Sequence, residues 1–211
     1  MPDLDQLHKA VIEGNWKAAA AATQAAVAAG VAPLTIVTGC LVPAMDEVGR
    51  LFECEEYFVP EMLLSARAMK ASMEIVRPLL VATGAEPIGR VVIGTVKGDL
   101  HDIGKNLVAS MLEGGGFEVI DLGADVTPER FIEAATARNA DLVALSALLT
   151  VTMTSMKSTI DAFEAAGLRG KVKIMVGGAP VTQQYADAIG ADGFGESAGA
   201  AVALARKLMV A

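Results

Sequence analysis

One short stretch of the chain, VKGDLHDIGKN, combines residue types that could do chemistry. It places His101 between Asp99 and Asp102, with Gly98 and Gly104 outside them, and the chain has only two histidines. An imidazole beside a carboxylate can be a general base oriented by Asp99, a metal ligand, or a surface residue balanced by acids. The stretch alone leaves these three interpretations open.

The scarcity of other ligands limits what kind of metal site His101 could serve. A ligating imidazole usually donates its second N–H to a carboxylate, and Asp99 could accept it. Cys40 and Cys54 lie far from His101 in sequence and form no C-x-x-C pair, so we expect inert thiols. A bare zinc or iron site would lack ligands, whereas a single protein ligand suffices if a macrocycle supplies the others.

The glycines and lysines near His101 do not form a nucleotide-binding motif. The sequence GDLHDIG is not G-x-G-x-x-G, and no Walker lysine pattern occurs. We interpret Lys97 and Lys105 as surface charges, and we expect the EGGGF run at 113–117 to end a helix. A dinucleotide site is therefore the weaker alternative.

The elements that must position His101 lie in the second half of the chain. From Arg90 onward, short β-branched runs alternate with amphipathic helical patterns, which predicts a parallel sheet covered on both faces. The carboxyl ends of such strands share one edge, so the loops at 121–128, 146–154 and 177–182 should lie beside His101. Strands are predicted at 91–96, 117–121, 142–147, 172–176 and near 192–194, and helices at about 102–114, 128–138, 152–167, 181–189 and 197–209.

The first half of the chain has the spacing of helices. Apolar residues at helical intervals predict four of them, with Gly30 ending the second, Pro33 opening the third and Pro60 opening the fourth. Pro43 is expected to kink the third helix, and Trp16 is expected in the core. The predicted domains are a helical domain at 1–83, a linker at 84–89 and an α/β domain at 90–211.

Composition excludes several classes of function. Hydrophobic residues make up 53% of the chain, which is ample for a packed core. The net charge is −8 without a basic cluster, which argues against a nucleic-acid partner. The sequence shows neither a membrane-spanning apolar run nor a signal peptide, so we expect no membrane partner and a cytoplasmic protein.

Three motifs in order resemble a known family. Asp99-x-His101-x-x-Gly104, Ser146-x-Leu148 and Gly177-Gly178 resemble the signature of cobalamin-binding domains of the methionine synthase type. The sequence MDEVGRLFECEEYFVPEMLLSARAMK, at 45–70, resembles the helical cap that precedes this domain. The whole chain is similar to the stand-alone corrinoid proteins of methyltransferase systems.

The resemblance implies both a fold and a site. The fold would be a four-helix bundle cap followed by a Rossmann-like, flavodoxin-like, doubly wound parallel sheet. His101 would replace the lower base of the cobalamin or related corrinoid on cobalt, Asp99 would hold the other imidazole nitrogen, and Thr152 would extend this relay where the family leads us to expect Ser. The implied cofactor-binding residues are Gly98, Asp99, His101, Asp102, Ile103, Gly104, Ser146, Leu148, Thr150, Gly177, Gly178 and Ala179, with Phe58, Val59 and Met62 of the cap over the upper face of the cobalt.

Less specific interpretations exist for several of these residues. Gly177-Gly178 could be a simple strand-end turn, the Ser146 hydroxyl could be satisfied by backbone, and the cap residues could be bundle core. Asp102 is expected to cap the helix that follows it.

The function implied is that of a methyl carrier. A substrate:corrinoid methyltransferase would load the methyl group, a second methyltransferase would remove it, and a reductive activator would maintain the cofactor. Whether the chain counts as an enzyme is uncertain, because catalysis would be shared with these partners. The alternatives are a cobalamin-binding sensor or regulatory module and a small subunit of a mutase, and the helical first half argues against the mutase subunit.

Overall fold

The computed structural model describes residues 4–82 and 87–210, and the chain divides into two compact units. One unit holds the chain up to Pro87 together with 113–116, and the other holds 88–112 and 117–211. The predicted linker at 84–89 falls partly on 83–86, which lie outside the described residues. Within the described ranges, no helix is both long enough and apolar enough to cross a membrane.

The first unit is helical, as predicted. Gly30, at a positive φ of 79°, follows the second helix, and Pro33 opens the third. The second helix packs against the first and the fifth, and its buried side chains are the small Ala19, Thr23 and Ala26. The helices are α1 (Leu4–Ile12), α2 (Trp16–Ala28), α3 (Pro33–Ile36), α4 (Val42–Glu53) and α5 (Val59–Ala82).

A π-helical turn, Val37–Leu41, joins α3 to α4, whose second residue is Pro43. In it, the Val42 N–H bonds to the Val37 carbonyl, five residues earlier. Proline lacks an N–H, and its ring crowds the carbonyl four residues before it, so the helix widens there. The kink that the sequence predicts at Pro43 thus takes the form of a wider turn ahead of it.

Trp16 does not lie in the core, and the prediction that it does is wrong. Its side chain is 37% exposed at the first position of α2. The ring lies 4.8 Å from the Arg67 guanidinium carbon and 5.5 Å from Lys17 Nζ. These two cations stack on the indole at the surface.

Cys40 is buried, and its Sγ lies 3.2 Å from the Leu4 carbonyl oxygen. Burial, with the Asp5 carboxylate adding to it, raises the pKa of the Cys40 thiol to about 11. The thiol is therefore protonated at neutral pH, which agrees with the expectation of an inert cysteine.

The second unit is a parallel sheet with strand order β2-β1-β3-β4-β5, the flavodoxin-like order. Every predicted strand and helix of this unit is present, with ends that differ by at most two residues. The strands are β1 (Arg90–Thr95), β2 (Glu118–Asp121), β3 (Leu142–Ser146), β4 (Lys173–Gly177) and β5 (Gly193–Gly195). The helices are α6 (Ile103–Gly114), α7 (Pro128–Arg138), α8 (Met153–Ala165), α9 (Gln183–Ile189) and α10 (Ala198–Met209).

The central strands are buried on both faces, as their apolar sequences predict. Alternate residues such as Val143 and Leu145 join a cluster with Phe131 and Phe163 of the helices on one face. The residues between them point to the other face. On that face, at the carboxyl end of the strands, lies Ser146.

Candidate functional site

Asp99 connects two loops at the carboxyl edge of the sheet. Its side chain is fully buried. Oδ1 accepts the His101 main-chain N–H at 3.0 Å and lies 2.7 Å from His101 Nδ1. Oδ2 accepts the N–H groups of Leu148 at 2.8 Å and Leu149 at 3.3 Å, and it lies 2.6 Å from Thr152 Oγ1. The structure thus brings together the three members of the predicted relay, His101, Asp99 and Thr152.

These donors keep Asp99 ionised. Burial alone raises the pKa of Asp99, but hydrogen bonds from the Thr152 hydroxyl, from Leu148 N–H and from His101 outweigh burial and hold the pKa well below its usual range. The Thr152 hydroxyl also lies 2.8 Å from the Leu149 carbonyl oxygen. Because an ionised carboxylate can only accept, the hydroxyl proton that lies between Thr152 and Asp99 belongs to Thr152.

The same reasoning assigns the His101 tautomer. Asp99 Oδ1 accepts from the ring, so Nδ1 carries the proton, and in the neutral ring Nε2 keeps its lone pair. None of the described residues hydrogen-bonds Nε2, and half of the His101 side-chain surface is exposed. His101 therefore presents a single, oriented nitrogen donor.

That donor has no partners with which to build a metal site from protein groups alone. Within residues 4–82 and 87–210, no three His, Cys, Asp or Glu side chains come together as possible metal ligands. A metal ion bound by Nε2 would need its other ligands from a non-protein group.

Three residues that the sequence analysis missed hold the loop around His101. Thr95 Oγ1 donates to the His101 carbonyl oxygen at 2.9 Å, and Ser155 Oγ donates to the Lys97 carbonyl oxygen at 3.0 Å. Asp125 Oδ1 accepts the Gly98 N–H. Thr95 ends β1, Asp125 lies in the loop after β2, and Ser155 lies in the first turn of α8; a polar residue close to the carboxyl end of a strand was the signal available in the sequence.

Exposed apolar side chains lie in or next to the two loops that Asp99 connects. Leu100 and Ile103, on either side of His101 in sequence, are about three-quarters exposed, and so is Val151. Leu148 and Leu149 are about two-fifths exposed, and their N–H groups bind Asp99. Since soluble proteins rarely expose several neighbouring apolar side chains, this arrangement marks a binding surface.

Small residues lie next to one another across the sheet at this edge. Thr95 of β1 pairs with Ser146 of β3, Ser146 with Gly177 of β4, and Gly177 with Gly195 of β5. A Cβ added to Gly104 would meet no atom within 4 Å. The edge thus combines missing side chains in the sheet with open space beside the first turn of α6.

Comparison with known proteins shows the family to which the chain belongs. The B12 binding domain family matches residues 89–205, and a second model of that description matches residues 3–77.

The chain belongs to the B12-binding domain family.

Individual relatives cover nearly the whole of this B12-binding chain. It is 41% identical over 208 residues to dimethylamine corrinoid protein 1 of Methanosarcina mazei, covering 98% of this chain and 96% of the relative. It is 42% identical over 203 residues to trimethylamine corrinoid protein 1 of Methanosarcina acetivorans, covering 95% and 94%. The crystal structure of the methanol:cobalamin methyltransferase complex from Methanosarcina barkeri matches with a TM-score of 0.86 and 31% identity, covering 98% of this chain and 79% of that chain.

The glycine pair predicted in the B12 site contains one residue with a clear structural requirement. Gly178 has a φ of 132°, and a Cβ there would lie 1.9 Å from the Ala147 carbonyl oxygen. At Gly177 the nearest atom to an added Cβ would be the Gly195 carbonyl oxygen, at 3.1 Å. Gly178 thus has the turn role that was the alternative interpretation, while the contribution of the pair to cofactor binding remains a prediction.

The structure places the other predicted cofactor residues as follows. Asp102 directly precedes α6, where its carbonyl accepts Asn106 N–H and its carboxylate accepts Asn106 Nδ2–H. In the helical unit Met62 is fully buried, so its predicted place above the cobalt remains a prediction, as do those of the exposed cap residues. The remaining predicted residues are exposed as well: Gly98, Thr150 and Ala179 in the sheet unit, and Phe58 and Val59 in the helical unit.

Lys105 is not a surface charge, and that prediction is wrong. It is 2% exposed, and its Nζ lies 2.5 Å from both Asp121 carboxylate oxygens and 2.6 Å from Asn106 Oδ1. A buried ammonium requires such partners. The pairing was hidden in the sequence because Asp121 is 16 residues away.

Proposed function

We propose that this chain is a corrinoid methyl carrier whose His101 Nε2 is the lower axial ligand of the cobalt. When bound, the corrinoid would supply a metal centre that can accept and donate a methyl group. The observation that carries the proposal is the single oriented imidazole nitrogen at a sheet edge, in a member of the B12-binding domain family.

The residues of the edge fit such a cofactor. A macrocycle that supplies most of the metal ligands needs one from the protein, and His101 presents one. The apolar side chains of Leu100, Ile103 and Val151 suit the underside of a large ring. The glycines and the open space at Gly104 suit the displaced base of the cofactor, because a flat group needs room that side chains would fill.

Asp99 and Thr152 have a defined task in this proposal. Asp99 holds the proton on Nδ1, which fixes the tautomer and makes Nε2 the donor. Thr152 stabilises the Asp99 anion by donating to Oδ2. The negative charge behind the imidazole raises its donor strength towards a cation.

The relatives support a methyltransferase as the partner of this chain. Those relatives are named for dimethylamine and trimethylamine, and one structure is a methyltransferase complex for methanol. For this chain we propose a substrate:corrinoid methyltransferase that loads the methyl group, a second methyltransferase that removes it, and a reductive activator. The choice of methyl donor would lie with the first enzyme.

Methyl transfer with purified components tests the carrier function. The protein, loaded with cobalamin and reduced with titanium(III) citrate, is mixed with a dimethylamine, trimethylamine or methanol methyltransferase and its carbon-13-labelled substrate. We expect labelled methyl on the protein-bound cofactor with at least one enzyme, and its release to a thiol with a second methyltransferase. Tight cofactor binding without transfer by any enzyme would contradict the carrier function and would favour the sensor.

A further inference from the structure

The loop after β2, residues 121–126, contacts the His101 loop through Asp125. Asp125 Oδ1 accepts the Gly98 N–H at 2.7 Å, and the Asp125 N–H donates to the Asp99 carbonyl oxygen at 3.0 Å. The aspartate therefore bonds the residues on both sides of the 98–99 peptide. One of them is the residue that orients His101.

Asp125 adopts a backbone conformation that most residues avoid. Its φ is 56°, in the left-handed region where glycine is free of strain and aspartate is merely tolerated. Glycine would satisfy the backbone at lower cost, so the turn does not explain the carboxylate. The hydrogen bond to Gly98 does explain it.

The backbone of this loop is itself fixed to β1. Thr95 N–H donates to the Gly123 carbonyl oxygen, Val126 N–H donates to the Thr95 carbonyl oxygen, and Val96 and Val126 form a parallel bridge. Asp125 therefore acts from a frame tied to the strand that leads into the His101 loop. A contact from a fixed frame can orient the group that it holds.

The same loop also holds the segment that follows His101. Asp121 accepts Gly123 N–H at 2.8 Å and pairs with the buried Lys105 on the first turn of α6. Lys105 in turn contacts Asn106, whose side chain donates to Asp102. The loop after β2 thus contacts the chain both before and after His101.

We infer that the 121–126 loop is a clamp on the His101 loop and that Asp125 is a positioning residue for the Asp99–His101 pair. Asp125 fixes the peptide at Asp99 so that its Oδ1 faces Nδ1 of the imidazole. The inference deepens the proposed function and rests on it where the experiment uses bound cobalamin. The orientation of the pair in the cofactor-free protein is independent of that function.

The test distinguishes the effect of losing the Asp125 carboxylate from the effect of placing glycine at a positive φ. Asp125→Gly keeps the positive φ and the main-chain donor but removes the acceptor for Gly98, whereas Asp125→Asn keeps an acceptor. Asn139 is the matched control because it is exposed, has a φ of 48° and ends α7 before β3, away from the His101 loop. Asn139→Gly changes the same type of backbone position.

The first readout is nitrogen-15 NMR of the two histidines in the cofactor-free protein, with His8 as internal reference. We expect wild type, Asp125→Asn and Asn139→Gly to show a protected Nδ1 proton on His101. In Asp125→Gly this proton should exchange with water up to about tenfold faster, as loss of one hydrogen bond implies. Equal protection in Asp125→Gly and wild type would overturn the inference.

The second readout is the fraction of bound cobalamin that is ligated by histidine. We expect this fraction to fall in Asp125→Gly and to stay at the wild-type value in Asn139→Gly. If wild type shows histidine ligation and Asp125→Gly keeps it in full, the positioning inference fails while the proposed function stands. If wild type shows none but the NMR difference is present, the proposed function fails and the positioning of the Asp99–His101 pair stands.

Discussion

The two sides of the site are built by opposite means. On the polar side, the Asp99 and Asp125 carboxylates accept hydrogen bonds from the His101 loop, and the Thr95 and Ser155 hydroxyls donate to its carbonyl oxygens. The open side of the site lacks side-chain atoms at Gly177 of β4 and beside Gly104, on the first turn of α6. A ligand donor must point in one direction, whereas a slot must only stay open. The first requires many contacts and the second requires few.

The largest expected effect tests whether every glycine on the open side tolerates an added side chain. Gly178→Ala places a Cβ 1.9 Å from the Ala147 carbonyl oxygen at a positive φ. We expect the free energy of unfolding to fall by about 3 kcal/mol, the upper end for overpacking and strain. Urea unfolding of the cofactor-free protein measures it, and a loss under about 1 kcal/mol would contradict the close packing of this turn.

Asp99→Asn breaks the polar side at its centre. An amide replaces one acceptor oxygen by a donor, which leaves a buried N–H or hydroxyl unsatisfied, so we expect a loss of about 1–3 kcal/mol in the free energy of unfolding. Asp102→Asn, in the same loop and only partly buried, is the matched control and should cost less.

The Asp99 effect should depend on pH in one direction. Because folding lowers the pKa of Asp99 below the ordinary value of 3.8, the carboxylate stabilises the fold fully above that value. Its contribution disappears as the pH falls towards the folded-state pKa. The difference between wild type and Asp99→Asn should therefore shrink in urea titrations as the pH falls below 3.8. A difference that grows with acidification would contradict this assignment.

Gly104→Val tests the open side directly. A Cβ there meets no protein atom within 4 Å, and valine has a higher helix propensity than glycine, so the free energy of unfolding should change by less than about 1 kcal/mol. If the space holds the base of the cofactor, cobalamin affinity should fall by about 1–3 kcal/mol, or roughly 5- to 150-fold. Titration calorimetry with hydroxocobalamin measures the affinity. The control variant is Gly170→Val, because an added Cβ at Gly170 also meets no atom within 4 Å and the residue lacks the positive φ that would strain a valine at Gly167.

The smallest effect separates the hydroxyl of Thr152 from its methyl group. Thr152→Ser keeps the donor to Asp99 Oδ2 and should stay within about 0.5 kcal/mol of wild type in the free energy of unfolding. Thr152→Val removes the donor and should cost about 1 kcal/mol. Equal stability of the two variants would show that the bond of 2.6 Å does not stabilise Asp99.

The same contrast explains how much the sequence could predict. The alternation of apolar runs predicted the parallel sheet, and the resemblance to the cobalamin-binding family implied that Asp99, His101 and Thr152 would meet. The clamp contacts of Asp125 and the burial of Lys105 were not predictable, because they depend on side-chain directions in a loop 16 or more residues away. The prediction that Trp16 lies in the core failed because the buried face of α2 is formed by the small side chains of Ala19, Thr23 and Ala26.

One measurement tests the central claim most directly. The protein is labelled with nitrogen-15 only in histidine, loaded with unlabelled cobalamin and reduced to the cobalt(II) state for electron paramagnetic resonance. If His101 Nε2 is the axial ligand, the nitrogen splitting of the cobalt signal is the doublet of nitrogen-15, and it is lost in His101→Ala but kept in His8→Ala. A triplet from nitrogen-14, which is the signal of the cofactor's own base, in the labelled wild-type protein would contradict the account.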